Sequence, residues 1–290
     1  APVRLEVDEA SGAEVQQGTD PLGGLIAQTG IIATTQTPGP AVDICAVNDL
    51  VAVAEMETGV SIFNVFNSIN PTIMAQVNTP GQAQSVACGD NSLLAVADGS
   101  GGLAVIDFSD PPAAFISHQV NLGGSVHAVA SAGSLAYAGL TNGNVVVVDM
   151  QSGTVLQTIS AGAAAIEDLS TEKENLFVLL DSQLRAYSVA QGILTFQGQT
   201  ATTGYVAEGI TGRKRLFVGG GFAYATSYPG YDVFDVQNLA FPVRVGNAST
   251  PGPNSFKQIV ANGSGLGVAT VGVNPRNDGT HDLWLYDVSD

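Results

Sequence analysis

Positive charge is scarce in this chain, which has nine Lys and Arg residues against 26 Asp and Glu and a formal net charge of −17. Proteins bind nucleic-acid backbones and anionic membrane surfaces mainly through Lys and Arg. The imbalance therefore argues against nucleic acid as a partner and against attachment to an anionic membrane. It is compatible with solubility through self-repulsion, with a secreted protein of a saline setting, and with binding of cations.

Long apolar runs are absent as well, although 45% of the residues are hydrophobic. No run reaches the roughly 18 residues of a spanning helix, so the sequence predicts no membrane insertion. Aromatic residues make up 7% of the chain, and there are two cysteines. Two cysteines do not indicate a redox compartment. No C-x-x-C pair, G-x-S-x-G elbow, P-loop or dinucleotide motif suggests a metal site or a catalytic one.

The chain is instead rich in short repeats in which a glycine, an apolar strand and an aspartate follow one another. Versions of this pattern occupy residues 101–112, 143–149, 230–236 and 282–290. A fainter copy at 60–66 has Asn64 in place of the aspartate. Asp side chains that end a strand before a turn bond backbone N–H groups. We therefore interpret the repeated aspartates as structural and not catalytic: Asp107, Asp149, Asp235 and Asp287.

The spacing of these repeats predicts the fold. Asp107 and Asp149 are 42 residues apart, Asn64 precedes Asp107 by 43, and Ser188 takes the aspartate position of a degenerate unit. Periods of roughly 40–50 residues with several short strands each are typical of a β-propeller, whose units are four-stranded blades. A single blade leaves both apolar faces in water, so blades must stack on their neighbours. We predict an all-β fold, one six-bladed propeller of four-stranded antiparallel blades.

The domain boundaries follow from the same repeat. Residues 1–23 are polar and acidic and are interpreted as a linker or arm, whereas 24–290 form a single propeller domain. The segment 25–37 resembles the end of the first blade at 73–81, and the chain stops after the third strand of the sixth blade. We expect the strand at 25–37 to complete blade 6 and close the ring, which removes an open sheet edge. A closed ring is expected to be monomeric as a domain.

The units resemble LVIVD repeats, which are named for a glycine turn, an apolar strand and an aspartate. The best matches lie at 101–112, 143–150 and 283–290, and the resemblance covers about residues 24–290. It departs at Ser188 and Asn64. The resemblance implies a propeller of bacterial or archaeal surface or secreted proteins, and hence an extracellular or cell-surface location. It supplies no established catalytic residues.

The first strand of each blade is expected to line the central channel. The starting positions of these strands form a polar ring at the channel mouth: Asp43, Ser85, His127, Asp168, roughly Arg215, and Lys257 or Gln258. His127 with Asp43 and Asp168 would suit a metal ion or acid–base chemistry. The other interpretation is a hydrated lining whose polar groups satisfy one another, since a single His is a weak metal signal.

The two cysteines, Cys45 and Cys88, align in the first strands of blades 1 and 2, one position out of step. Because side chains alternate between faces along a strand, both point into the gap between the blades, or they point away from each other. We expect two free buried thiols, and a disulfide across the gap is the alternative.

Longer loops gather on one face, which we call the top: the insertion 201–213 and the hairpin loops 226–231 and 271–281. Binding residues often lie on loops held by a rigid scaffold. Tyr205, Tyr228 and Tyr231 are predicted to lie in these loops as anchors for a partner, and local packing of the loops is the alternative. The stretch 277–282 carries several oxygen ligands without matching the calcium-loop pattern, so we expect a turn there, with calcium binding as the alternative.

The sequence favours a non-catalytic binding or scaffolding module of a larger extracellular or cell-surface protein. A protein or carbohydrate partner is expected to dock on the top face near blades 5 and 6, at Tyr205, Tyr228, Tyr231, Asp43, His127 and Asp168. The alternative is an enzyme of hydrolase or lyase type with a polar site at the channel mouth. A purely structural spacer is the third interpretation. Neither a metal nor a cofactor is predicted, calcium excepted.

Overall fold

The computed structural model describes residues 35–67, 70–203, 214–227, 230–249, 255–261, 266–272 and 281–287. The segment 25–34 of the expected closing strand lies outside these ranges, and 35–37 lie in no strand. The arm at 1–23 is also outside the described residues, as are the insertion from 204 to 213 and the loop from 273 to 280. No described residues form a helix long and apolar enough to cross a membrane.

The described residues form antiparallel sheets that follow one another in chain order. The first sheet contains β1 (Asp43–Val47), β2 (Leu50–Ala54), β3 (Val60–Asn64) and β4 (Thr72–Val77). The second contains β5 (Ser85–Cys88), β6 (Leu93–Ala97), β7 (Leu103–Asp107) and β8 (Phe115–Val120). The third contains β9 (Val126–Ala132), β10 (Leu135–Leu140), β11 (Asn144–Asp149) and β12 (Thr154–Ser160).

Two more four-stranded sheets and a three-stranded one complete the described set. The fourth contains β13 (Ile166–Glu172), β14 (Asn175–Leu180), β15 (Gln183–Ala190) and β16 (Ile193–Ala201). The fifth contains β17 (Leu216–Gly219), β18 (Phe222–Ser227), β19 (Gly230–Asp235) and β20 (Val243–Ser249). The three-stranded sheet contains β21 (Ser255–Ala261), β22 (Leu266–Gly272) and β23 (His281–Asp287). Each of the first five sheets corresponds to one predicted blade, and we number blades accordingly.

The core lies between blades and not inside any one of them. Separate apolar clusters fill the gaps between blades 1 and 2, 2 and 3, 3 and 4, and 4 and 5. The second and third strands of a blade are covered on both faces, so they are continuous apolar runs and not alternating ones. In β6, all five residues of the run Leu93–Ala97 are buried. The prediction of an all-β fold with four-stranded antiparallel blades is confirmed.

The glycine before the third strand has a steric reason to be there in blades 2 and 3. Gly102, which precedes β7, has φ +91, and a Cβ on it would lie 2.3 Å from the carbonyl oxygen of Val120 on the outer strand. Gly143 occupies the same place in blade 3, with φ +82 and the Gly162 carbonyl oxygen 2.1 Å from such a Cβ. Only glycine adopts this conformation without strain and also fits so close to another backbone.

The blades curve around an axis lined by their first strands. Successive first strands β1, β5, β9, β13, β17 and β21 are neighbours. Nη1 of Arg215, just before β17, lies 3.2 Å from Oδ1 of Asp43 in β1. The fifth blade thus contacts the first through this ion pair.

One predicted loop is wrong. The expected hairpin loop 226–231 is largely strand, because β18 continues to Ser227 and β19 begins at Gly230. Thr226 pairs with Tyr231 and Ser227 with Gly230, so the hairpin register extends to the turn. A tight hairpin is present at Gly219–Gly221, since Gly220 and Gly221 both have positive φ between β17 and β18.

Candidate functional site

The polar residues that start the first strands, at the predicted channel mouth, contact neighbouring blades. Asp43 is half-buried and accepts a hydrogen bond from the Ser85 hydroxyl at 2.6 Å and another from the Val86 backbone N–H at 3.1 Å, both on Oδ2. Its other oxygen, Oδ1, makes the ion pair with Arg215. One carboxylate therefore ties blade 1 to blades 2 and 5.

Similar bonds join other first strands to the next blade. The buried carboxylate of Asp168 accepts the backbone N–H of Leu216 in the next blade at 2.9 Å. The Ser85 hydroxyl accepts the N–H of Val129 in the next blade at 3.4 Å. A polar side chain that starts one blade thus bonds the backbone of the blade after it, which satisfies groups that would otherwise be buried without partners.

His127 takes part in this ring through a side chain. Its Nδ1 lies 2.8 Å from Oε1 of Gln84, which belongs to the segment before β5 in the preceding blade. The described residues contain no group of three or more His, Cys, Asp and Glu side chains that could hold a metal ion. The structure therefore does not gather His127, Asp43 and Asp168 into a metal site, and the lining of mutually bonded polar groups describes them better.

A cavity of about 470 Å³ opens beside this ring on the first blade. Asp43 and Arg215 contribute its charged groups, and its walls are mainly the apolar side chains Val51, Val53, Phe63 and Val65. The volume lies in the range of small-molecule sites, which are also mostly apolar with a few polar groups. This cavity is a place near the channel mouth where the described residues leave space for a ligand.

One of the three predicted tyrosine anchors lies among the described residues. Tyr231 is in β19 and is 6% exposed, so its predicted place in a top loop is wrong. Burial raises the pKa of its phenol above the ordinary value, and the neighbouring Tyr224 raises it further. Tyr224 is 3% exposed, as expected of a core residue. Tyr205 and Tyr228 lie outside the described residues, as does most of the candidate calcium stretch 277–282.

The repeated aspartates make the turn bonds that the sequence predicts. Asp107 Oδ1 accepts the N–H of Ser109 at 2.9 Å, and Asp149 Oδ1 accepts the N–H of Gln151 at 2.8 Å. Asp235 does the same for Gln237. Asn64, the amide at this position in blade 1, accepts the N–H of Phe66 at 2.9 Å. The side chain of Asp287 is outside the described part.

The cysteine pair differs from the expectation of two free thiols. Cys45 and Cys88 form a disulfide with a Cα–Cα distance of 5.8 Å, so both side chains point into the gap between blades 1 and 2. The opposite parity of the two positions along their strands had left this arrangement open. The bond joins first strands that are 43 residues apart in sequence.

Two fully buried acids were not predicted from the sequence. Glu55 follows β2 and Asp98 follows β6, and both side chains are 0% exposed. Glu55 Oε2 accepts the N–H of Gly39 at 3.2 Å, and Asp98 Oδ2 accepts the N–H of Gly81 at 2.9 Å. Each glycine ends a Thr-Pro-Gly sequence that leads into the blade. That repeated tripeptide, together with an acid directly after an apolar strand, was the signal for this pairing.

Burial raises the pKa of both carboxyls, and the hydrogen bonds that they accept oppose this shift without cancelling it. The hydroxyl of Ser61 lies beside the Glu55 carboxyl, and that of Thr79 beside the Asp98 carboxyl. Even so, Glu55 Oε1, Asp98 Oδ1 and these hydroxyl oxygens have no hydrogen-bond partner of good geometry among the described residues. A protonated carboxyl with a donor O–H would suit such an environment.

Comparison with known proteins gives the fold a name. No family model matches the chain, and no curated protein matches it in sequence. Its backbone is similar to the beta-propeller domain of Myceliophteria thermophila Cps50 (Swd1), with a TM-score of 0.55 over 88% of this chain and 99% of that one, at 11% identity. The described sheets form a β-propeller.

Two further solved structures are similar to this propeller. Saccharomyces cerevisiae Sqt1 has a TM-score of 0.63 at 14% identity, over 87% of this chain and 72% of its own. The computationally designed Ika8 protein has a TM-score of 0.57 at 11% identity, over 85% of this chain and 71% of its own. Identities this low establish a shared backbone arrangement, and fold alone does not imply function.

Proposed function

We propose that the chain is a non-catalytic binding or scaffolding propeller module of a larger extracellular or cell-surface protein. One observation carries this proposal. The polar side chains at the channel mouth, where a catalytic site would be expected, bond neighbouring blades: Asp43 holds Ser85, Val86 and Arg215, and Asp168 holds Leu216. Side chains that bond neighbouring blades to one another have a structural role, as expected of a scaffold.

The proposed location rests on the disulfide and on charge. Disulfides persist in oxidising compartments and are rare in reducing ones. The Cys45–Cys88 bond therefore supports an extracellular or cell-surface site, as the resemblance to LVIVD repeats also implies. A net charge of −17 keeps such a domain soluble and, as a separate ring, monomeric.

The proposed ring has six blades, and the strand at 25–37 closes it by pairing with the outer edge of the last sheet. The three strands β21, β22 and β23 lack a fourth among the described residues, which is consistent with one supplied by the N-terminal segment. Closure would also cover the sheet edge of β23, whose backbone groups would otherwise pair with another molecule.

The proposed partner is a protein or a carbohydrate that docks on the top face near blades 5 and 6. Tyr205 and Tyr228 are its proposed anchors, with the channel-mouth residues beside them. Tyr231 is no longer among them, because its side chain is buried. A partner bound only through the outer rim of blades 2 to 4 would contradict this docking face.

An enzyme of hydrolase or lyase type remains the second candidate, and one observation favours it. The 470 Å³ cavity places Asp43 and Arg215 beside apolar walls, as a small-molecule site requires.

Substitution of Asp43 separates the two functions. In a scaffold, Asp43→Asn removes the charge that Arg215 pairs with and weakens the bonds from Ser85 and Val86, so the free energy of unfolding should fall by about 1–3 kcal/mol. Asp110→Asn changes the same charge at an exposed position whose side chain caps no helix end, and should have almost no effect. Urea unfolding measures both. An Asp43→Asn protein as stable as the wild type would contradict the scaffold function and favour the enzyme.

A further inference from the structure

Arg185 is set apart from the other described arginines by its partners. Arg215 pairs with Asp43, and Arg244 pairs with Asp232. In a chain with 26 acidic and nine basic residues, such pairing is expected of every cation. Arg185 has no carboxylate partner among the described residues. Its Nε and Nη2 both donate to a single oxygen, Oε1 of Gln183, at 3.2 and 3.0 Å.

The free donors of Arg185 face a cleft between blades 3 and 4. The cleft has a volume of about 280 Å³ and is lined by seven residues, among them Arg185, Tyr187, Leu194 and Phe196. The guanidinium carbon lies 5.9 Å from the centre of the Phe196 ring, which itself meets Tyr187 edge to face at 5.6 Å. Phe196 is 50% exposed, so this aromatic wall is open to solvent. The guanidinium is thus held in place by Gln183 and Phe196 while Nη1 remains available.

No acidic residue lies on either outer strand that borders the cleft. The strands β12 and β16 carry no charged residue of either sign. Edge strands are commonly protected by charged side chains, and this acidic protein has many such side chains. Because β12 and β16 carry no charged side chains, the half-buried Arg185 is the charged group of an otherwise neutral cleft.

We propose that this cleft binds the carboxylate of an aspartate or glutamate in an extended segment of a partner protein, with Arg185 as the anchor and Phe196 as the apolar wall. A planar guanidinium matches a carboxylate with two parallel N–H bonds. The proposal rests on the proposed binding function and adds a rim surface, distinct from the top face, to it.

The neighbouring strand edge favours an extended segment over a small molecule. The side-chain amide of Gln157 in blade 3 accepts the N–H of Leu194 at 2.6 Å and donates to its carbonyl at 3.3 Å. The edge of β16 away from β15 thus accepts the two-bond pairing that a partner strand would make, and at Leu194 this place is occupied by Gln157. At 280 Å³ the cleft is smaller than most ligand pockets and suits a single side chain.

Peptide binding to the full chain tests this assignment. The probes are a short blocked peptide of alternating threonine and valine with one central glutamate, and the same peptide with glutamine in its place. Isothermal titration should give the glutamate peptide at least about tenfold tighter binding, as expected for a charge-assisted pair. Arg185→Gln should abolish that difference, and Phe196→Ala should weaken both peptides. Lys173→Gln, which removes the same charge at an exposed turn of the same blade, should preserve the difference.

Three results would overturn the assignment: equal affinity for the two peptides, a preference that survives Arg185→Gln, or a site that binds free acetate but neither peptide. Thermal unfolding of Arg185→Gln verifies that the fold is intact, and Arg185→Lys provides a second variant that retains charge without the planar fork. The Asp43 stability measurement does not involve this cleft. A failed titration alongside a destabilised Asp43→Asn would therefore reject the rim site and leave the scaffold function standing.

Discussion

At the scale of single residues, the side chain that ends the third strand acts as a hydrogen-bond acceptor for the turn. Asp107, Asp149 and Asp235 each accept an N–H two residues further on, and Asn64 does so through its amide oxygen. An amide in blade 1 performs the task of the carboxylates, so the task needs an oxygen and not a charge.

This distinction predicts the behaviour of two substitutions. Asp107→Ala removes the acceptor, and the free energy of unfolding should fall by about 0.5–1.5 kcal/mol, the usual net value of one hydrogen bond. Asp107→Asn keeps the acceptor and should restore most of that stability, as Asn64 does in blade 1. Denaturant unfolding of the two variants provides the measurement. A loss of ligand binding in Asp107→Ala at wild-type stability would show that the residue is functional and not structural.

Single residues were predictable from sequence where the repeat governs them. Asp107, Asp149 and Asp235 were placed correctly because the copies of the repeat share one pattern. Tyr231 was not, because Pro229-Gly230 resembles a turn in sequence, whereas the register of β18 and β19 carries the strand through Gly230. Cys45 and Cys88 were aligned correctly, yet strand parity alone allows the side chains to converge or to diverge.

At the scale of elements, the chain segment that enters a blade is bonded to the first hairpin of that blade. The bond is made by a buried carboxyl after the second strand. Gly39 donates to Glu55 in blade 1, and Gly81 donates to Asp98 in blade 2. Gln119 of the outer strand also approaches Asp98, at 3.4 Å. The bond holds the incoming chain where the next first strand must begin.

The raised pKa of these carboxyls gives stability a defined pH dependence. Folded protein binds the proton more tightly than unfolded chain does, so the contribution of each group falls as pH rises from its ordinary pKa through the raised one. Glu55→Gln and Asp98→Asn keep an acceptor for glycine and do not titrate. Both variants should therefore show a smaller decrease in the free energy of unfolding as pH rises. Both should also be more stable than the wild type at neutral pH.

Urea unfolding over a series of pH values measures this effect. Glu57→Gln is the matched control, since it removes the same charge from an exposed side chain two residues from Glu55. It should leave the pH dependence unchanged. If Glu55→Gln and Asp98→Asn were less stable than wild type at neutral pH, with the original slope, the burial of ionised carboxyls would not be the cause.

Elements were predictable to within about a residue where apolar runs are bounded by the repeat. In blade 1 the sequence pattern alone indicates strands at 42–47, 50–55, 60–65 and 72–77, and the strands lie at Asp43–Val47, Leu50–Ala54, Val60–Asn64 and Thr72–Val77. The buried acids were missed because an acidic residue at the end of an apolar strand is usually exposed. Their burial comes from the linker that folds over them, which is a tertiary effect.

At the scale of the whole molecule, stability lies in the contacts between blades. Four apolar clusters fill the gaps between successive blades, the Cys45–Cys88 disulfide spans one gap, and Asp43 reaches two other blades. Such a structure depends on each blade having a neighbour on both faces. We therefore propose that the row of blades is closed, with the strand at 25–37 completing the sixth.

Deletion of the N-terminal segment tests this claim most directly. A protein lacking residues 1–38 should expose the edge of the last sheet, unfold at a clearly lower temperature and aggregate, because an unpaired edge strand recruits other chains. A protein lacking only the acidic arm, residues 1–23, should melt at the wild-type temperature. An unchanged melting temperature in the 1–38 deletion would contradict closure by this strand.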